Sequence, residues 1–130
     1  MTEWSDVPKQ LAAITLFVDD LETTKQFYED VFGLLPHWGD ENSVVFLFGD
    51  TMINLLRVSE APALIDPGVV APSTSGSRFQ FTVGVDDVDE TCEELQRRGV
   101  VLLNGPMDRP WGIRTASFLD PAGHIWEIAK

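Results

Sequence analysis

The feature that most constrains this chain is an internal duplication. Residues 14–28 read ITLFVDDLETTKQFY, and residues 81–95 read FTVGVDDVDETCEEL. The two segments align without gaps at an offset of 67, so that Val18-Asp19-Asp20 falls on Val85-Asp86-Asp87 and Thr15 and Thr24 fall on Thr82 and Thr91. A repeat of this size marks a supersecondary unit that buries its apolar face against its own copy. The chain must therefore fold as two similar halves.

Each copy passes from strand to helix. Ile14, Leu16 and Val18 alternate with Ala13, Thr15 and Phe17, the period of a strand. Asp20 and Asp87 then stand where a carboxylate can accept the free N–H groups of a first helical turn, and Glu90 completes a capping-box spacing. Leu21, Phe27, Tyr28 and Val31 form one apolar helix face, and Val88, Cys92 and Leu95 form the other. Gly33 and Gly99 end the helices. Three strand-like runs follow each helix: LLPHW, SVVFLFGD and TMINLLRV in the first copy, and VVLLNGP, IRTASFLD and HIWEIAK in the second. Gly49-Asp50 and Asp120-Pro121-Ala122-Gly123 read as the tight turns. The expected fold is α+β: two βαβββ repeats, about 11–57 and 78–130, forming one pseudo-symmetric domain over residues 1–130. The segment 58–77, rich in Pro, Gly and Ser, reads as a linker with one helical turn near 61–65.

Composition narrows the partners. The 130 residues carry 21 Asp+Glu against 9 Lys+Arg, a net charge of −12, which repels nucleic-acid phosphates and anionic lipid and attracts cations. No run reaches the ~18 apolar residues of a membrane helix. The opening MTEWSDVPKQ lacks an apolar h-region, so no signal peptide is expected. Cys92 is the single cysteine, set among acids in DETCEEL, which suits a buried helix residue in a reducing cytoplasm better than a nucleophile. No Gly-rich phosphate loop, Ser/His/Asp pattern or zinc spacing appears.

The duplicated unit, the passages LFVDDLETTKQFYEDVFGL and VGVDDVDETCEEL, and the closing PWGIRTASFLDPAGHIWEIA resemble the glyoxalase, bleomycin-resistance and dioxygenase superfamily, also called vicinal oxygen chelate, from about Leu11 to Lys130. The resemblance implies a curved, U-shaped mixed sheet around a cavity, with helices on the outer face, and commonly a homodimer. It also implies four metal-ligand positions, which fall on Ala13, Asn54, Gln80 and Glu127. Only Glu127 is a strong ligand; two amides and an alanine fall short of what zinc or nickel requires. His124 stands three residues before Glu127 and so turns to the opposite sheet face. No resident metal or cofactor is expected, and weak divalent binding is the most these donors could give.

If the ligand positions face the cavity, strand alternation turns Thr15, Phe17, Met52, Leu56, Thr82 and Ile125 the same way. Ile14, Leu16, Val18, Phe81, Val83, Trp126 and Ile128 then pack beneath the helices. The expected ligand-binding residues are Thr15, Phe17, Trp38, Phe48, Asn54, Gln80, Thr82, Trp111, Arg114 and Glu127. Trp111 and Arg114 enter through Trp111-Gly112-Ile113-Arg114, which is similar to a Trp-Gly-Arg stretch beside the groove of the family's drug-binding members, with one residue inserted. The function expected is binding without metal, sequestering a cationic or aromatic compound such as an antibiotic. The alternative is a lyase, dioxygenase or isomerase with an atypical metal site or with Glu127 as general base.

Overall fold

A computed structural model describes residues 3–130 of the chain. The first module runs β1 (Ala13–Val18), α1 (Leu21–Phe32), β2 (Trp38–Gly39), β3 (Ser43–Phe48) and β4 (Thr51–Arg57). A short α2 (Pro62–Ile65) interrupts the connecting segment. The second module runs β5 (Gln80–Gly84), α3 (Val88–Arg97), β6 (Leu102–Asp108), β7 (Arg114–Leu119) and β8 (Ile125–Ala129). The two βαβββ units anticipated from the duplication are present, and the sheet comes as two four-stranded mixed halves ordered β1-β4-β3-β2 and β5-β8-β7-β6. In each half the first and last strands pair in parallel, and the remaining pairs are antiparallel.

The helices begin where the capping chemistry puts them. Asp20 accepts the backbone N–H of Thr23 at 3.0 Å, and Asp87 accepts that of Glu90 at 3.0 Å. Thr24 and Thr91, the matched threonines, each close the first turn by donating to the carbonyl of the cap residue at 2.8 Å. Gly33 then takes a left-handed conformation, φ 66°, which ends α1 at little cost because glycine has no Cβ.

One buried cluster runs through both modules. Leu16, Val18, Val44, Phe46, Ile53 and Leu55 come from the first sheet, and Ala116, Phe118, Trp126 and Ile128 from the second. Leu16, Val18, Trp126 and Ile128 are alternate positions assigned to the helix side, and Ile14, Phe81 and Val83, also assigned there, pack at the cluster's rim. The aromatic face of α1 ties the halves together. Tyr28 meets Phe46 at 5.5 Å between ring centroids and Trp126 at 5.9 Å, while Phe32 meets Phe48 at 5.1 Å and Trp126 at 4.8 Å. Such ring pairs add stabilisation beyond the area they bury. Cys92 is buried in the same cluster as a free thiol, and burial pushes its pKa up. Among the described residues, no helix is long and apolar enough to cross a membrane.

Candidate functional site

Strand register decides what each sheet presents on the face turned away from the core. In the first sheet Thr15 stands beside Asn54, Asn54 beside Val45, and Val45 beside Trp38. This places Trp38 in the same cross-strand row as Thr15 and Asn54. Phe17 and Leu56 form the next row, with Ser43. In the second sheet the equivalent row is Thr82, Glu127, Ser117 and Asn104.

The duplication extends to the chemistry of these rows. Thr82 donates its hydroxyl to Glu127 Oε1 at 2.9 Å. At the matching place in the first module, Asn54 Nδ2 donates to Thr15 Oγ1 at a longer 3.4 Å. Each half thus carries a threonine on its first strand facing a polar residue on its last, one pair neutral and one acidic. The polar row continues through Ser117, which donates to Asn104 Oδ1 at 2.9 Å. Neither Ser117 nor Asn104 is visible from the sequence, because alternation does not set the facing of RTASFL and β6 is irregular on both sides of Asn104. The buried Phe118 fixes that facing, since its neighbours must face the other way.

Around these rows the surface is apolar and open. Trp38 is 53% exposed, Leu47 38%, Met52 36% and Leu119 44%, all on strand positions of the faces opposite the core. Gln80 is exposed at the start of β5, beside Ile125. Trp111 is 68% exposed in the turn before β7, with the guanidinium of Arg109 6.0 Å from its ring centroid.

Two expected site residues face the other way. Phe48 is on the core side of β3, stacked on Trp126 at 4.9 Å and in edge contact with Tyr28, so it holds the aromatic cluster and cannot touch a ligand on the open face. Arg114 is drawn to the helix side, where its Nε and Nη2 clamp both carboxylate oxygens of Asp89 at 2.9 and 2.8 Å and Nη1 meets Asp108 at 3.1 Å. That bidentate pairing holds the Asp89 carboxyl below its usual range and commits Nε, Nη1 and Nη2 of Arg114 to carboxylates on the helix side. Arg109, which is not among the expected site residues, is a cation on the open side; its Nε donates to Thr115 Oγ1 at 2.8 Å. Thr115 shares the face of Ser117 and Glu127.

The residues at the four family ligand positions do not fit a divalent metal. Ala13 has no donor atom, Gln80 and Asn54 offer amide oxygens, and Asn54 directs its Nδ2 at Thr15. Glu127 is the one carboxylate, and one of its oxygens is taken by Thr82. Among the described residues no group of three or more His, Cys, Asp or Glu gathers with metal-binding geometry. His124 is held by Asp120 at 2.9 Å on the core side of β8, away from Glu127.

This fold and this pair of rows define a chain built on the duplicated βαβββ plan. Residues 10–128 match the family model described as the Glyoxalase/Bleomycin resistance protein/Dioxygenase superfamily, and the chain belongs to that family. It is similar to protein YraH of Bacillus subtilis, with 34% identity over 93% of this chain and 98% of that protein. It is also similar to virulence protein STM3117 of Salmonella typhimurium, with 27% identity over 90% of this chain and 81% of the relative. Among solved structures, a glyoxalase-related enzyme from Fulvimarina pelagi superposes with a TM-score of 0.80 at 29% identity, covering 94% of this chain and 88% of that one.

Proposed function

We propose that this chain is a small-molecule-binding protein that works without a metal, holding an aromatic or cationic compound, such as an antibiotic, against its open sheet faces. The observation that carries this is the second-sheet row: one carboxylate, Glu127, set in a line of neutral hydroxyl and amide groups that already satisfy one another. A chelating site needs several free strong donors turned to one point. A binding site needs an apolar wall with sparse polar groups that fix orientation, which describes Trp38, Leu47, Met52, Asn54 and Glu127. The exposed apolar side chains on both faces support pairing with a second copy, which would enclose the guest between chains. The buried free thiol suits the cytoplasm.

A second reading rests on Glu127 itself. Its Oε1 accepts from Thr82, while its Oε2 has no protein hydrogen bond. That oxygen can act as a general base on a bound substrate. The first test is a thermal-shift and tryptophan-quenching screen with cationic glycopeptide and quinone antibiotics, together with metal analysis of protein purified without chelator. Saturable quenching that Trp38→Ala removes, on metal-free protein, supports binding. Uniformly null screens, or one tightly held Ni, Zn, Fe or Mn per chain, would overturn it. Turnover lost in Glu127→Gln with binding kept would select the second reading.

A further inference from the structure

A separate cavity of about 370 Å³ lies between the end of β1, the connecting segment and the turn before β8. Its wall is mainly apolar, with Phe17, Val70, Pro72 and Phe79 among its lining residues. His124 reaches it from the turn. The size is at the lower end of the ~300–1,000 Å³ of small-molecule pockets, room for one or two fused rings.

His124 is held in one orientation. Its Nδ1 lies 2.9 Å from Asp120 Oδ2 and 3.1 Å from Oδ1. Asp120 is buried, and it already accepts the backbone N–H groups of Ala122 and His124 on Oδ1 and the hydroxyl of Tyr28 on Oδ2. A carboxylate that already accepts three other donors presents only acceptor oxygens to Nδ1, so the Nδ1 hydrogen is placed on histidine. The opposite nitrogen, Nε2, has no hydrogen-bond partner among the described residues. Among the described residues no fully buried side-chain nitrogen or oxygen lacks a partner, so Nε2 is not sealed off, and His124 lines the cavity. Phe79 stacks on the imidazole, with ring centroids 6.3 Å apart and planes 29° apart.

We infer that this cavity is a second binding site, selective for a neutral aromatic compound bearing an acidic hydroxyl, a phenol or naphthol, whose O–H donates to His124 Nε2. The wall's other charged groups, Asp19 and Arg78, are one of each sign, so the cavity does not select a strong ion. Asp120 holds the imidazole in the orientation that turns Nε2 into the acceptor for that hydroxyl. The rings of Phe79 and Phe17 supply apolar contact for the aromatic body. The site meets the rows of the proposed function at Thr15 and Phe17 of β1, and its other lining residues lie outside those rows.

The test compares 2-naphthol with its methyl ether, 2-methoxynaphthalene, by calorimetry on the full chain. Nitrogen chemical shifts of the His124 ring are followed in parallel. The expected result is about tenfold tighter binding of the naphthol, the worth of one hydrogen bond that the ether cannot donate. Its binding moves the Nε2 resonance, and the ether leaves that resonance in place. His124→Phe keeps the stacked ring and removes the acceptor, and it brings the two affinities together. Equal affinities in the unmodified chain, no binding, or binding with a still Nε2 resonance would overturn the assignment. The resonance reads the unmodified chain, so the test survives a variant that does not fold. It also separates this cavity from guests taken on the sheet faces.

Discussion

Tyr28→Phe tests the joint between the two modules with the loss of one oxygen. Tyr28 is fully buried on α1. Its hydroxyl donates to Asp120 Oδ2 at 2.8 Å, across 92 residues of sequence, and accepts the indole N–H of Trp126 at 3.2 Å. The substitution keeps the ring and its contacts. It removes a hydrogen bond to a buried carboxylate and leaves the Trp126 N–H with no partner inside the core. A bond to a charged group contributes about 2 kcal/mol, and an orphaned buried donor costs about 1 kcal/mol more, so the variant should lose about 3 kcal/mol. For a chain of this length that lowers Tm by about 12 °C. Urea denaturation is the assay, with the midpoint falling and the slope unchanged. Burial, and after it the Asp120 charge, drives the Tyr28 ionisation far above its ordinary range. Tyr28 therefore stays a donor, and the loss should be flat between roughly pH 6 and 9. In a Trp126→Phe background there is no donor to orphan, and the same change should cost about 1 kcal/mol less. A loss below about 1 kcal/mol, or a cost unchanged in that background, would refute the joint.

Three other outcomes can be checked. Gly105→Ala should destabilise the second module by about 3 kcal/mol or prevent folding, read by calorimetry: φ is +84°, and the new Cβ would meet the Thr115 carbonyl oxygen at 2.5 Å and Ala116 Cα at 2.7 Å. The Cys92 thiol, buried and with its pKa raised first by burial and then by the Asp89 charge, should react with a disulfide reagent only as fast as the chain opens; rapid labelling of native protein would contradict this. Hydrogen bonds from Thr23, its backbone N–H first, hold the Asp20 carboxyl below its usual range. The stability this cap contributes is therefore present above the unfolded value of ~3.9 and lost as pH falls through the lower folded value. Acid melts of Asp20→Asn should lack that dependence while keeping a cap, and Asp20→Ala should lose the cap at every pH.

What the sequence could convey follows from where its signals are doubled. The matched Asp20 and Asp87 located both helix starts, and alternation along the first and last strand of each copy assigned Leu16, Val18, Trp126 and Ile128 to the core side, where they are. The middle strands were harder. SVVFLF is apolar on both faces, so alternation could not tell Phe48 from a cavity residue; only the ring contacts with Trp126 and Tyr28 do. Arg114 misled because the sequence shows its neighbours in the turn, whereas its partner Asp89 lies on α3. Asn104 joins the polar row through a strand whose register shifts twice, a irregularity that no periodicity in VVLLNGP announces. The tie between Asp120 and Tyr28 is likewise tertiary: DPAGH reads as a turn, and the buried hydroxyl that reaches it comes from the other half.

The plug formed by Phe27, Tyr28 and Phe32 draws on both sheets, while the segment between the copies contributes no residue to the shared core beyond the edge of α2. Structural integrity and the lining of the smaller hollow are therefore entrusted to different stretches of polypeptide. Residues 69–73 can be rewritten to change the shape and polarity offered to a guest without touching the rings that keep the halves joined, which gives the scaffold room to acquire new molecules by altering a strap.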